Sequence, residues 1–220
     1  MKNKTPRDNY WQRYGTKTII WLALPVAIIG GYFYPILGFA VLICMFASII
    51  VAFKFGRAWC DVCPRGSFFD IVMQKLSPGK SLPKFFRINI FRIAVLAFMM
   101  GSMAFGLWQH WGNYPAMGLV FVNLLAFTTI VGIVLAFVYR PRSWCAFCPM
   151  GSMANWIGKK EMPLQINSTH CVDCGLCAKA CPMEINPASA AAKESGMVCN
   201  GDCIKCSRCV IVCNKKALHF

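Results

Sequence analysis

The sequence predicts an all-α membrane four-helix bundle, built as two pseudo-symmetric hairpins, followed by a small cysteine-rich α+β domain. Three observations predict it: two long stretches without charge, a basic excess confined to the segments around them, and closely spaced cysteines outside the apolar blocks. The 220 residues carry a formal net charge of +15, are 57% hydrophobic and 14% charged, and include 14 cysteines. A soluble domain carries roughly 25% charged residues and far fewer cysteines. A mean hydropathy of +0.52 argues against disorder. It also argues against a simple soluble nucleic-acid binder, whatever the basic charge alone would suggest.

Residues 1–18 form a basic tail with Lys2, Lys4, Arg7, Arg13 and Lys17. The tail is long for a signal peptide and no small-residue cleavage site follows, so the first helix is expected to stay attached. The transmembrane domain is expected over 19–153. Within it, residues 19–53 and 93–139 contain no Lys, Arg, Asp or Glu. One span needs about 20 apolar residues, so each block holds two. The first block breaks at Gly30-Gly31-Tyr32-Phe33-Tyr34-Pro35, and the second turns at Gln109-His110-Trp111-Gly112-Asn113-Tyr114-Pro115. Two hairpins put the tail, the loop 54–92 and everything after Arg140 on one side, and neither opposite turn carries a basic residue. The positive-inside rule makes that side cytoplasmic, with both termini there. The basic residues are expected mainly to orient the spans and meet anionic lipid headgroups, each worth about 1 kcal/mol near the surface.

Each hairpin is followed by the same motif. Arg57-x-Trp59-Cys60-x2-Cys63-Pro64-x-Gly66-Ser67 recurs as Arg142-x-Trp144-Cys145-x2-Cys148-Pro149-x-Gly151-Ser152, 85 residues on. A pseudo-twofold arrangement would gather Cys60, Cys63, Cys145 and Cys148 at the membrane surface. A helix starting at the Gly-Ser pair would turn its N–H groups toward thiolate. Three readings stay open for these four residues: a [4Fe–4S] cluster, a single soft metal such as Cu(I) or Zn²⁺, or a cycling thiol pair.

A linker is expected over 154–166 and the last domain over 167–220. Cys171-x2-Cys174-x2-Cys177-x3-Cys181-Pro182 and Cys203-x2-Cys206-x2-Cys209-x3-Cys213 both fit the bacterial ferredoxin run. The domain is therefore expected to be ferredoxin-like. In two-cluster ferredoxins the fourth cysteine of each run serves the other cluster. That assigns Cys171, Cys174, Cys177 and Cys213 to one [4Fe–4S] centre, and Cys203, Cys206, Cys209 and Cys181 to a second. Zinc pairs are normally separated by longer intervals, and so small a domain needs the staple that clusters supply. An oxidised cube with four thiolates carries about −2, which offsets part of the basic charge. Cys44, within a span, and Cys199 remain unassigned.

The chain has no CxxCH for covalent haem and no Walker A or dinucleotide-binding glycine pattern. Of its three histidines, only His110 is placed near the membrane, beside Trp111 and Tyr114. It is a candidate quinol site, although an aromatic belt at the interface accounts for it equally.

Two hairpins each ending in a Cys-Pro motif, followed by a tandem ferredoxin module, resemble the NapH, NosR and CcoG group of membrane polyferredoxins. Gly201-Asp202-Cys203-Ile204-x-Cys206-x-Arg208-Cys209-Val210 looks most like the NapH type. The resemblance covers nearly the whole chain. Both Cys-Pro copies have two residues between their cysteines, where many relatives have three. The resemblance implies [4Fe–4S] binding by the eight ferredoxin-type cysteines and electron transfer linked to the quinone pool in the inner membrane. Its implied partners are the lipid bilayer and a partner redox protein or reductase complex, the redox protein being a multihaem cytochrome or an iron–sulfur protein; no nucleic acid is expected. The chain would then be a relay subunit of a quinol dehydrogenase. The alternatives are a maturation or metal-reducing factor of the CcoG kind, and a redox sensor.

Overall fold

The computed structural model describes residues 14–190 and 196–220, so Lys2, Lys4, Arg7 and Arg13 of the basic tail lie outside the described residues. The chain is mostly helical, and four helical stretches are long and apolar enough to cross a membrane. They are α1 (Tyr14–Phe33), the composite stretch Pro35–Met73, α5 (Asn89–Gln109) and α6 (Tyr114–Val138). Their outward faces expose Ile29, Ile43, Ile50, Phe98 and Ile130, the arrangement of helices that meet hydrocarbon instead of water.

The turns fall where the local chemistry demands. Tyr34 leaves helical geometry before Pro35, as a residue preceding proline tends to do. A 3-10 turn (Pro35–Phe39) then leads into α2 (Ala40–Phe55). Gly56, with φ of 57°, ends α2 because only glycine takes that conformation without penalty. The composite stretch continues through α3 (Trp59–Val62), α4 (Pro64–Phe68) and a π turn (Phe69–Met73). The second hairpin closes at His110–Asn113, where the Asn113 side chain caps α6 by accepting from the Ala116 N–H.

Beyond α6 come α7 (Pro149–Ile157), β1 (Leu164–Ile166), α8 (Leu176–Ala180), β2 (Met197–Val198), α9 (Arg208–Val212) and β3 (Leu218–His219). The strands form one antiparallel sheet in the order β2-β1-β3, pairing Leu164 with Val198 and Ile166 with Leu218. Leu164 and Ile166 are buried, and Gln165 faces outward. A single apolar core joins this sheet to the spans. Phe69, Met73, Trp144 and Phe147 belong to it together with Leu164, Ile185, Val198 and Leu218.

Three expectations are corrected. The first helix already includes Lys17, which the basic tail 1–18 had placed outside it. The supposed linker 154–166 is ordered at both ends, inside α7 and β1, which leaves only 158–163 as connection. Several cations expected to face lipid headgroups are internal: Lys17, Arg57, Arg92 and Arg142 are at most 3% exposed. Each is paired with a carboxylate, and that pairing is what allows a charge to be buried.

Candidate metal centres

The duplicated motif closes on itself through its arginines. Arg142 of the second copy donates from Nη1 to the Cys60 carbonyl at 2.6 Å. Arg57 of the first copy donates from Nη2 to the Cys145 carbonyl at 2.7 Å. Each guanidinium lies against the other copy's glycine. A Cβ on Gly66 would come within 3.1 Å of Arg142 Nη1, and one on Gly151 within 2.5 Å of Arg57 Nη2. The Arg and Gly of the motif are therefore two halves of one contact made across the copies.

This crossing brings the cysteine pairs together. Cys145 interacts electrostatically with Cys148 and Cys60, and Cys63 with Cys60. Arg65 reaches the same place: Nη2 donates to Cys148 Sγ at 3.1 Å and Nη1 to Thr128 Oγ1 at 2.8 Å. Its guanidinium stands over the Trp144 ring, 5.3 Å from the centroid, within cation–π range. Burial pushes the Cys145 thiol up to about 12, overriding the opposing pull of Arg142. The helix after each pair starts at the proline, not at the Gly-Ser pair, and Cys63 and Cys148 are the N-cap residues of α4 and α7. Proline at the first helical position gives up no hydrogen bond there.

The two ferredoxin-type runs share one backbone, repeated 32 residues on. Positive φ recurs at Asp173 and Lys205 (49° and 56°), Gly175 and Ser207 (70° and 60°), and Glu184 and Lys216 (55° and 50°). The Ile185 N–H points at Cys181 Sγ and the Ala217 N–H at Cys213 Sγ, each at 3.4 Å. α8 and α9 carry Cys177 and Cys209, and Cys181 and Cys213 terminate them. Burial raises the Cys209 thiol, as do the neighbouring Cys206, Cys203 and Cys181. Those four are the second set expected from the spacing. Of the first set, Cys177 and Cys171 interact, and Cys174 is exposed.

Carboxylates to which the motifs gave no role organise this region. Asp70, on the π turn, accepts from Arg142 at 2.7 and 2.9 Å and from Lys17 at 3.2 Å, and forms an ion pair with Arg208 at 2.9 Å. A π turn widens the helix locally. Asp61 takes the other bond of Lys17. Asp202 accepts from Arg57, Arg92 and Asn155 at 2.8, 2.8 and 2.6 Å. Burial alone would raise the Asp202 carboxyl, but the Arg92 hydrogen bond and the charges of Arg57 and Arg92 hold it below its usual value. The signal was there to find: the chain has only eight acidic residues, so each one among buried arginines carries weight.

The fit to a bound cluster rests on orphaned atoms. Buried polar atoms without a partner include Ser67 Oγ, Ser152 Oγ, Trp144 Nε1 and Arg57 Nε, all from the duplicated motif. Buried orphans of this kind call for an unseen partner, and hydroxyl, indole and guanidinium donors fit an anionic one. Among the described residues no three Cys, His, Asp or Glu side chains converge on a single metal-ion position. His110 is exposed on the hairpin turn at the far end of α5, about 27 Å along the helix from Arg92. Cys44 and Cys199 belong to neither set; Cys44 packs near Trp59 and Cys63, and Cys199 is exposed.

Spanning helices, two mutually clamped cysteine pairs and a twofold ferredoxin-type run define the class: a ferredoxin-type iron–sulfur membrane protein. The 4Fe-4S binding domain family matches residues 37–83 and 122–164, once over each Cys-Pro copy, and a second 4Fe-4S binding domain family matches 164–185. An uncharacterized protein of Methanocaldococcus jannaschii is 29% identical over 88% of this chain and 80% of its own length. The ferredoxin-type protein NapH of Haemophilus influenzae is 28% identical over 79% of this chain and 66% of its own. The putative electron transport protein YccM of Escherichia coli is 25% identical over 70% of this chain, which covers 39% of that protein. No solved structure matches. Within its class, then, the chain is a NapH-like 4Fe–4S ferredoxin-type membrane protein.

Proposed function

We propose that the chain is a membrane-bound iron–sulfur electron-transfer subunit that relays electrons between the quinol pool and a partner redox protein. The observation that carries this reading is the docking of the second cysteine run on the duplicated motif. Asp202, next to Cys203, pairs with Arg57, and Arg208, next to Cys209, pairs with Asp70. Two sets of thiols on one rigid platform make a relay.

Cys171, Cys174, Cys177 and Cys213 are assigned to one [4Fe–4S] cluster, and Cys203, Cys206, Cys209 and Cys181 to another. Cys60, Cys63, Cys145 and Cys148 are assigned to a third. Such a group, when bound, supplies a one-electron store at a fixed place. The chain's own residues hold it, exclude water and balance its charge, with Arg57, Arg65 and Arg142 around the duplicated thiols. The one-sided basic charge supports a cytoplasmic position for this end and for both termini. The partner is taken to be an iron–sulfur protein or a multihaem cytochrome, the classes that can exchange single electrons with such clusters.

A cavity of about 610 Å³ opens beside Cys181, lined by Tyr14, Gln74, Ser77, Arg140, Arg142 and Arg208. That size suits a ring-sized redox ligand, and the polar wall offers donors for a quinone oxygen. The cavity is proposed as a second candidate quinol site in addition to His110, which lies at the other end of the spans.

Iron analysis and EPR of the anaerobically purified chain test the cluster count. Three clusters give about twelve iron atoms per chain and two give about eight. Cys60→Ser with Cys145→Ser is expected to remove about four. Unchanged iron in that variant ends the third-cluster reading. Clusters that stay oxidised with a quinol and the partner present end the relay reading.

A further inference from the structure

The two copies of the Cys-Pro motif are not equally supplied with charge. Arg142, whose Nη1 clamps the Cys60 carbonyl, finds its carboxylate at Asp70 in the same membrane domain. The residue 85 places on from Asp70 is Asn155, which has no charge to give. Arg57, whose Nη2 clamps the Cys145 carbonyl, takes its carboxylate instead from Asp202, 145 residues away in sequence. Asn155 donates to the same Asp202 oxygen, and Arg92 donates to the other one.

We infer that Asp202 is a positioning residue that completes the duplicated four-cysteine site from within the second cysteine run. It does for Arg57 what Asp70 does for Arg142, and in doing so fastens the run that begins at Cys203 to the membrane domain. Arg57 and Arg92 are 1% and 3% exposed. Without Asp202 the buried Arg57 and Arg92 lose the carboxylate they share, and the Arg57 guanidinium loses the contact that aims it at Cys145. A buried charge stripped of its partner is strongly destabilising, whereas an intact pair is close to neutral. The value of Asp202 therefore lies in placement. The iron part of its test rests on the third-cluster reading above; the fastening part does not.

The test uses the full chain purified with its clusters, comparing Asp202→Asn, Asp202→Asn with Asn155→Asp, and Cys60→Ser with Cys145→Ser. Two readouts are taken: iron with the EPR signal that the double serine variant removes, and tryptic cutting at Lys159–Lys160 in the connection between α7 and β1. Asp202→Asn is expected to lose that signal with about a third of the iron, and to be cut at least tenfold faster. Adding Asn155→Asp returns a carboxylate to the membrane domain, so the signal and the iron come back while the fast cutting persists. A loss that Asn155→Asp does not repair overturns the positioning role, as does an Asp202→Asn protein with parental iron and parental cutting. If the double serine variant leaves iron and spectra unchanged, the cluster reading fails and the cutting decides: parental cutting in Asp202→Asn overturns the inference, and a tenfold rise upholds it.

Discussion

The two ferredoxin-type runs have the same cysteine spacing and the same backbone, yet they meet different surroundings. In the second run, Asp202 and Arg208 bind the membrane domain at both ends of the loop. Cys206 faces Asp61 and Arg142, and Lys205 donates to the Met162 carbonyl at 2.7 Å. The equivalent positions 32 residues earlier are His170, Leu176, Cys174 and Asp173, all of them exposed. Spacing dictates how a loop wraps its cluster. Two charged residues at its ends dictate what the loop docks against. The comparison sets the second run against the spans and leaves the matching positions of the first exposed.

The contrast breaks most severely at Asp70. Asp70→Ala leaves Lys17, Arg142 and Arg208 without their shared carboxylate, a loss expected to cost about 3–5 kcal/mol. Thermal unfolding in detergent checks it, with the second run detaching first. Thiol labelling sharpens the contrast next. Burial pushes the Cys206 thiol up to about 11, so in a chain that keeps this fold without its clusters the thiolate is about a hundredfold scarcer near neutral pH than that of an ordinary thiol. A raised pKa means that the reactive form grows as pH rises. Mass spectrometry after iodoacetamide treatment should find Cys174 modified first, with the Cys206 rate climbing about tenfold per pH unit up to about 11.

Smaller effects follow. Gly151→Ala drives a methyl into Arg57 Nη2 and is expected to cost about 1–3 kcal/mol by overpacking. Glu184, which pairs with Arg87 and Arg140 at a partly exposed rim, should lose about 1 kcal/mol or less on change to Gln, and less still in high salt. At the bottom of the scale, His170→Ala and Leu176→Ala in the first run are expected to stay within about 0.5 kcal/mol. Their counterparts Asp202 and Arg208 should not. Equal costs in the two runs would overturn the comparison.

Much of this was legible from the chain itself. Charge-free blocks gave the four spans because a membrane tolerates few charges, and the cysteine spacing gave both runs because cluster loops are local in sequence. The repeat at 85 residues was legible too, but the work of its arginine was not. Arg57 and Arg142 read as topological charges because a single copy shows no partner for them; their acceptors sit in the other copy and are met only in three dimensions. Lys17 was misplaced for the same reason, since Asp61 and Asp70 lie 44 and 53 residues away. The Asp70 to Asn155 change was visible in the alignment of the copies, and without the Asp202 contact it carried no meaning.

The crossed arginines set a timetable for making the protein. Arg57 leaves the ribosome 88 residues before the Cys145 carbonyl and 145 residues before Asp202. At roughly 5–20 residues per second, it waits about 7–30 s at the translocation site for its last partner. The first cysteine pair spends that interval beside a guanidinium that has not yet met its carboxylate. Under the proposed third cluster, iron loading that begins during synthesis would meet only half of the ligands, and insertion is expected only after the second run has emerged.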